Sequence, residues 1–199
     1  MKFDLVIAGV GGQGNLLASQ VIAKCAIDAG YHVVNTETKG AAQRGGSVLS
    51  HVRISDQEIY SPLVPQGQAD FLLGFEPLEA LRYIDILNKT GKIIVNTAQV
   101  PTILANLKVD QYPTLAEMKT EISNKQLVGY FIDATQNAKQ LGDVLLTNVI
   151  MLGAFTQLTE VISSEAILAK LLSLVKERFH EADLKAFHKG QELLSAQKS

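Results

Sequence analysis

The sequence predicts an α/β fold: a Rossmann-like, mixed but mostly parallel sheet flanked by helices, with an antiparallel hairpin and C-terminal helices. Three observations carry this. The apolar run Phe3 to Ala8 enters the turn Gly9-Val10-Gly11-Gly12-Gln13-Gly14 and leads into a helix-patterned segment from Leu16 to Ala29. Short apolar runs then alternate with helical segments as far as Gly142. From Asp143 onward only helical spacing remains. With 199 residues and 47% hydrophobic content, the chain is read as one domain over residues 1–199, helical from about 143.

The glycine turn organises the rest. Gly9, Gly11 and Gly14 have the GxGxxG spacing of dinucleotide folds, where glycines allow unusual dihedrals and close approach to a pyrophosphate. Gly12 and Gln13 add backbone N–H groups at a helix start, a place that suits an anion. The same glycines equally serve a tight turn between closely packed elements. A Val-rich strand, Tyr31 to Thr36, follows about 20 residues later and ends near Glu37, where an NAD site has its ribose-binding acid. A solvated carboxylate at a strand end fits there as well.

The next stretch is not the helix of a standard Rossmann unit. Thr38 to Ser47 holds Gly40, Gly45 and Gly46, and residues 38–55 contain no acid while including Lys39, Arg44, His51 and Arg53. This reads as a local cationic loop. Val48 to Ile54 alternates as a strand, and Glu58 to Tyr60 is expected to return beside it as the hairpin. Ser50 and His51 are neighbours on that strand and point to opposite faces, so they do not form a nucleophile and base pair.

Further strands are expected over Ala69 to Phe75, Lys92 to Asn96 and Leu127 to Ile132. Helices are expected from Leu78 to Leu87 after Pro77, from Thr114 to about Ile122, and from Asp133 to near Gly142. Three more follow, Asp143 to Leu158, Ser164 to Val175 and Glu181 to Ser195, with Ser163 or Ser164 as a cap. Leu145, Val149, Leu152 and Phe155 form one core stripe, and Leu168, Leu171, Leu172 and Val175 another. These late apolar positions suit a homodimer interface as well as a core.

Composition narrows the function. A net charge of −2, from 18 basic and 20 acidic residues, gives no field for nucleic acid or anionic membrane. The Val144 to Leu158 run is too short and too polar for a membrane span, and no signal peptide is read at the start, so a cytoplasmic protein is expected. Cys25 is the single cysteine, which excludes an internal disulfide and a cluster held by four cysteines of this chain. His180 and His188 lack clustered ligands, so no metal site is expected.

Taken together, Gly9-x-Gly11-Gly12-Gln13-Gly14 and Lys39-Gly40-x-x-Gln43-Arg44-Gly45-Gly46-Ser47 resemble the gamma component of 2-oxoacid:ferredoxin oxidoreductases. The branch they are most similar to is the beta subunit of indolepyruvate ferredoxin oxidoreductase. Gly142-Asp143, Asn148 and Met151-Leu152-Gly153 add a third similarity, at the start of the family's late buried helix. Asp143 stands where the family has asparagine, and Thr38-Lys39-Gly40 replaces the serine-aromatic-glycine lead of pyruvate and oxoglutarate members.

This resemblance implies an enzyme subunit that does not carry the chemistry itself. In the family a 2-oxo acid condenses with thiamine diphosphate and loses CO2, its electrons pass through iron-sulfur clusters to ferredoxin, and coenzyme A takes the acyl group. The expectation is that thiamine diphosphate, magnesium and the clusters reside on a large catalytic partner, with no cofactor on this chain. Gly12 to Gly14 and the segment Lys39, Gly40, Gln43, Arg44, Gly45 and Gly46 would meet that partner or an anion, with the Arg44 guanidinium as anchor. The other function class is a self-sufficient dinucleotide oxidoreductase, with pyrophosphate on Gly9 to Gly14 and ribose on Glu37.

Overall fold

The computed structural model describes residues 1–37, 45–100 and 112–198. Six strands are described: β1 (Lys2–Val10), β2 (His32–Glu37), β3 (Ser47–Ser55), β4 (Ala69–Gly74), β5 (Leu87–Asn96) and β6 (Val128–Ile132). They form one sheet in the order β2-β3-β1-β4-β5-β6. β1, β4, β5 and β6 pair in parallel, while β3 is antiparallel to both β1 and β2. The helices are α1 (Asn15–Asp28), α2 (Pro77–Arg82), α3 (Leu115–Asn124), α4 (Ala134–Gln140), α5 (Thr147–Phe155), α6 (Ser164–Leu174) and α7 (His180–Lys198).

Strand alternation sends side chains into two cores. Leu5 and Ile7 of β1, with Val52 and Ile54 of β3, pack under α1, α5, α6 and α7. Val6 and Ala8 face the other way, toward Ala80 of α2 and Met118 and Ile122 of α3. Every residue of α5 is buried, which is why its sequence lacks a polar face. It crosses α7 at Gly153 and Gly190. A side-chain carbon on Gly153 would run into the Phe187 carbonyl, and one on Gly190 into that of Ile150, so the two backbones touch.

Local chemistry sets the helix ends. Thr114 and Glu117 form a reciprocal capping box on α3, and Ser163 accepts the Ala166 amide at 3.2 Å to start α6. At α2, Glu76 is the cap and Pro77 the first helical residue.

Three expectations are corrected. The antiparallel partner of β3 is not Glu58 to Tyr60, which form no strand. β3 is inserted between β2 and β1, so the hairpin is the β2–β3 pair. Alternation identified the strand but not its partner. The helix expected to reach Leu87 ends at Arg82, and Leu87 opens β5 opposite Ala69. Leu145 leaves the core stripe: Asp143 Oδ1 accepts the Leu145 amide at 2.9 Å, winding residues 144–146 into a 3-10 turn that faces Leu145 to solvent.

Candidate functional site

The carboxyl edge of the parallel strands is where the glycine turn lies. Gln13 braces it: its Oε1 accepts the Val10 amide at 2.7 Å, and its Nε2 donates to the Phe75 carbonyl at 3.1 Å. That carbonyl, just past β4, also receives Asn96 Nδ2 at 3.0 Å. Asn96 is fully buried at the end of β5, and its Oδ1 accepts the Ala134 and Thr135 amides at 3.1 and 3.3 Å, starting α4. The ends of β1, β4, β5 and β6 are thus tied together through two side-chain amides. The Gln13 amide thus takes up the Val10 N–H at the entry to the turn from within the chain.

The first glycine segment, the end of the second and the late helix converge here. The Gly11 amide donates to the Gly46 carbonyl at 2.9 Å, joining the first segment to the end of the second. Gly14, at φ +84°, caps α1 in the left-handed region, and any side-chain carbon on it would overlap the buried Asn148 amide at the start of α5. Gly9 lies equally close under Asn15 and Gln13, with a side-chain carbon there 2.8 Å from the Gln13 oxygen. Lys39, Gly40, Gln43 and Arg44 fall outside the described residues.

Glu37 is placed away from the turn. Through the register Glu37↔Ser50 and Ser50↔Ile7 it lies two strands from β1, about 10 Å at normal strand spacing. Its carboxylate accepts Ser19 Oγ at 2.9 Å instead. In the dinucleotide fold β2 adjoins β1, and here β3 intervenes. The stand-alone dinucleotide reading gains no support from this arrangement.

The described part of the expected cationic segment is not a cationic surface. Arg53 is buried, donating from Nε and Nη2 to Asp4 at 2.8 and 3.2 Å and from Nη1 to the Ser61 and Leu63 carbonyls. His51 Nδ1 accepts the Val64 amide at 3.2 Å; burial, and then the neighbouring Arg53, lower its pKa, so the ring is neutral. His51 and Ser50 face opposite sides of β3, as expected, and no nucleophile pair forms. Cys25 is buried against the Ala166 carbonyl, and burial pushes its thiol up to about 11, which suits neither a nucleophile nor a cluster ligand.

Two buried acids escaped sequence reading. Glu76 accepts the Glu79 and Val100 amides at 3.0 and 3.3 Å, and its pKa is raised because burial outweighs these donors. Glu79 accepts Ser47 Oγ at 2.5 Å, next to Gly46. The Glu76-Pro77 pair signalled a helix start, but not that its carboxylate would be enclosed.

The comparisons with known proteins add to this geometry. Residues 4–193 match the model of the pyruvate ferredoxin/flavodoxin oxidoreductase family. The chain belongs to this family. Indolepyruvate oxidoreductase subunit IorB of Pyrococcus horikoshii is 38% identical over 95% of this chain and 94% of its own length. The gamma subunit of a keto/oxoacid ferredoxin oxidoreductase from Geobacter sulfurreducens superposes with a TM-score of 0.72 at 29% identity, covering 98% of this chain and 99% of that one. The 2-oxoglutarate:ferredoxin oxidoreductase of Magnetococcus marinus shares the fold at 22% identity and a TM-score of 0.75. There, 98% of this chain covers only 31% of that polypeptide. Among the described residues no helix is long and apolar enough to cross a membrane, and no group of three His, Cys, Asp or Glu could hold a metal ion.

Proposed function

We propose that this chain is the non-catalytic small subunit of a ferredoxin-dependent oxidoreductase for indolepyruvate or another aryl pyruvate. It packs against a larger chain that carries thiamine diphosphate, magnesium and iron-sulfur clusters. The carrying observation is the bond from Gly11 to Gly46, which joins the first glycine segment to the end of the second, while Gln13 takes the Val10 N–H at the entry to the turn. The aryl-pyruvate assignment rests on the likeness to the Pyrococcus subunit.

In this reading the small subunit positions rather than reacts. Gly45 and Gly46 leave the partner's backbone room to approach, and Lys39 and Arg44 supply positive charge for a carboxylate of the partner or a phosphate of coenzyme A. The partner's cofactors supply the decarboxylation and electron transfer when bound. Ferredoxin is met through the complex.

The test is anaerobic reconstitution of aryl-pyruvate-dependent ferredoxin reduction with wild-type chain or with Arg44→Glu. The variant is expected to weaken assembly or raise the apparent KM for coenzyme A, with unchanged thermal unfolding. Equal assembly and turnover would remove the role given to Arg44. Saturable micromolar binding of NAD(H), NADP(H) or FAD by the isolated chain would favour the dinucleotide reading instead.

A further inference from the structure

The geometry points to a guarded sheet edge: we propose that the Gln197 side chain stands in for a neighbouring strand on β6 and keeps β6 from pairing with β6 of a second copy. This goes beyond the small-subunit reading and does not depend on it. β6 ends the sheet, with β5 on one side and no described strand on the other. Such an edge offers N–H and C=O groups to any chain that can add a strand, and proteins protect it with charge, shortness or a cover.

Gln197 makes both bonds that a next strand would make at Phe131. Its Oε1 accepts the Phe131 amide at 3.1 Å, and its Nε2 donates to the Phe131 carbonyl. Two bonds at one residue are what an antiparallel neighbour supplies. Alternation along β6 then sorts its backbone groups. Val128, Tyr130 and Ile132 turn theirs toward β5, and Gly129 turns its own outward with Phe131. No described group outside the sheet bonds the Gly129 N–H or carbonyl. The last turn of α7 is held where Gln197 reaches this edge: Leu194 is fully buried, Ser195 Oγ donates to Gln157 Oε1 at 3.3 Å, and Lys198 Nζ donates to the Gln157 carbonyl.

The strand kept out is named by the self-complementarity of β6. In an antiparallel pairing centred on Tyr130, Gly129 of one copy opposes Phe131 of the other, and both present N–H and C=O outward. Residues 129 and 131 lie on the α3 face, where a side-chain carbon on Gly129 would be 2.9 Å from Ile122 and where Lys119 sits 5.6 Å from the Phe131 ring centre. Each Phe131 ring therefore faces a glycine across the pair and meets no opposing side chain. The pairing is open to β6 once the Gln197 amide leaves Phe131.

The experiment compares the full wild-type chain with Gln197→Ala by amide hydrogen exchange and sedimentation equilibrium. At low concentration the Phe131 amide of the variant is expected to exchange about tenfold faster, as the loss of one hydrogen bond allows, with the melting temperature unchanged. At higher concentration the variant is expected to reach twice the wild-type mass. Tyr130→Cys, added to Gln197→Ala, puts a thiol at the centre of the pairing, where facing residues are about 4.5 Å apart. It is expected to cross-link two copies on mild oxidation, Cys25 being buried, while the same thiol with Gln197 in place stays uncross-linked. Unchanged Phe131 exchange in Gln197→Ala overturns the proposal, and so does faster exchange without association. Association without the cross-link at residue 130 gives the contact to another surface and overturns it too. All of these outcomes leave the small-subunit reading as it stands.

Discussion

Replacing Gly14 by alanine separates two costs that meet at one atom. The first is conformational: Gly14 has φ +84° and ψ 19°, and holding an L-residue there costs about 1–2 kcal/mol. The second is steric, because the new methyl would overlap the Asn148 amide, and forcing extra volume into a packed site costs about 1–3 kcal/mol. Gly14→Ala should therefore lower unfolding stability by about 2–5 kcal/mol. Gly12 is the internal control, with φ +101° and nothing within 4 Å of an added carbon, so Gly12→Ala should cost only the conformational part, about 1–2 kcal/mol. In an Asn148→Ala background most of the steric part should disappear, because the overlapping Nδ2 and Cγ are removed and only the Cβ at 3.0 Å remains. The double-mutant cycle from urea unfolding should then show a coupling of about 1–3 kcal/mol. If Gly14→Ala costs the same with and without the Asn148 side chain, the contact between the glycine turn and α5 has been misread.

Two further predictions concern the buried polar groups of β3. Arg53→Met leaves the fully buried Asp4 with only the half-exposed Lys2 at 3.0 Å, so a loss of about 3–5 kcal/mol is expected, largely recovered by adding Asp4→Asn; urea midpoints of the three proteins check this. His51 has a lowered pKa in the folded state, so the unfolded chain binds the proton more readily. Its contribution is complete above the unfolded pKa near 6.5 and is lost as pH falls through the lower folded value. Thermal unfolding between pH 7 and pH 5 should accordingly fall more steeply for wild type than for His51→Gln. Parallel slopes would show that His51, with Arg53 and Asp4 around it, does not set the acid limb.

Much of the fold was legible because it is written in local signals. The strand, glycine turn and helix at Phe3 to Ala29, the Thr114 and Glu117 box, and the late all-helical pattern each depend on residues a few positions apart. What failed depends on distant partners. Nothing near Arg53 in sequence announces that Asp4 will neutralise it, so a buried ion pair looked like part of a cationic loop. Strand pairing is similarly invisible to alternation, which is why β3 was matched to Glu58 to Tyr60 rather than inserted beside β1. Leu145 was lost to a single side-chain cap: Asp143 starts a 3-10 turn at 144–146, whose tighter winding shifts the helical phase, and a stripe residue becomes a surface one. At the site, the glycines marked the position but not its contents. The Gln13 amide bonds a backbone N–H three residues earlier, a short-range contact that a glutamine inside a glycine turn could have signalled.

The most direct test of the small-subunit account is gentle anaerobic purification of the tagged chain from its native host, with identification and assay of what accompanies it. The account predicts a large iron-sulfur protein in fixed ratio and ferredoxin reduction that requires an aryl pyruvate and coenzyme A. Recovery of the chain alone with a bound dinucleotide would contradict it and return the glycine turn to the role of an active site.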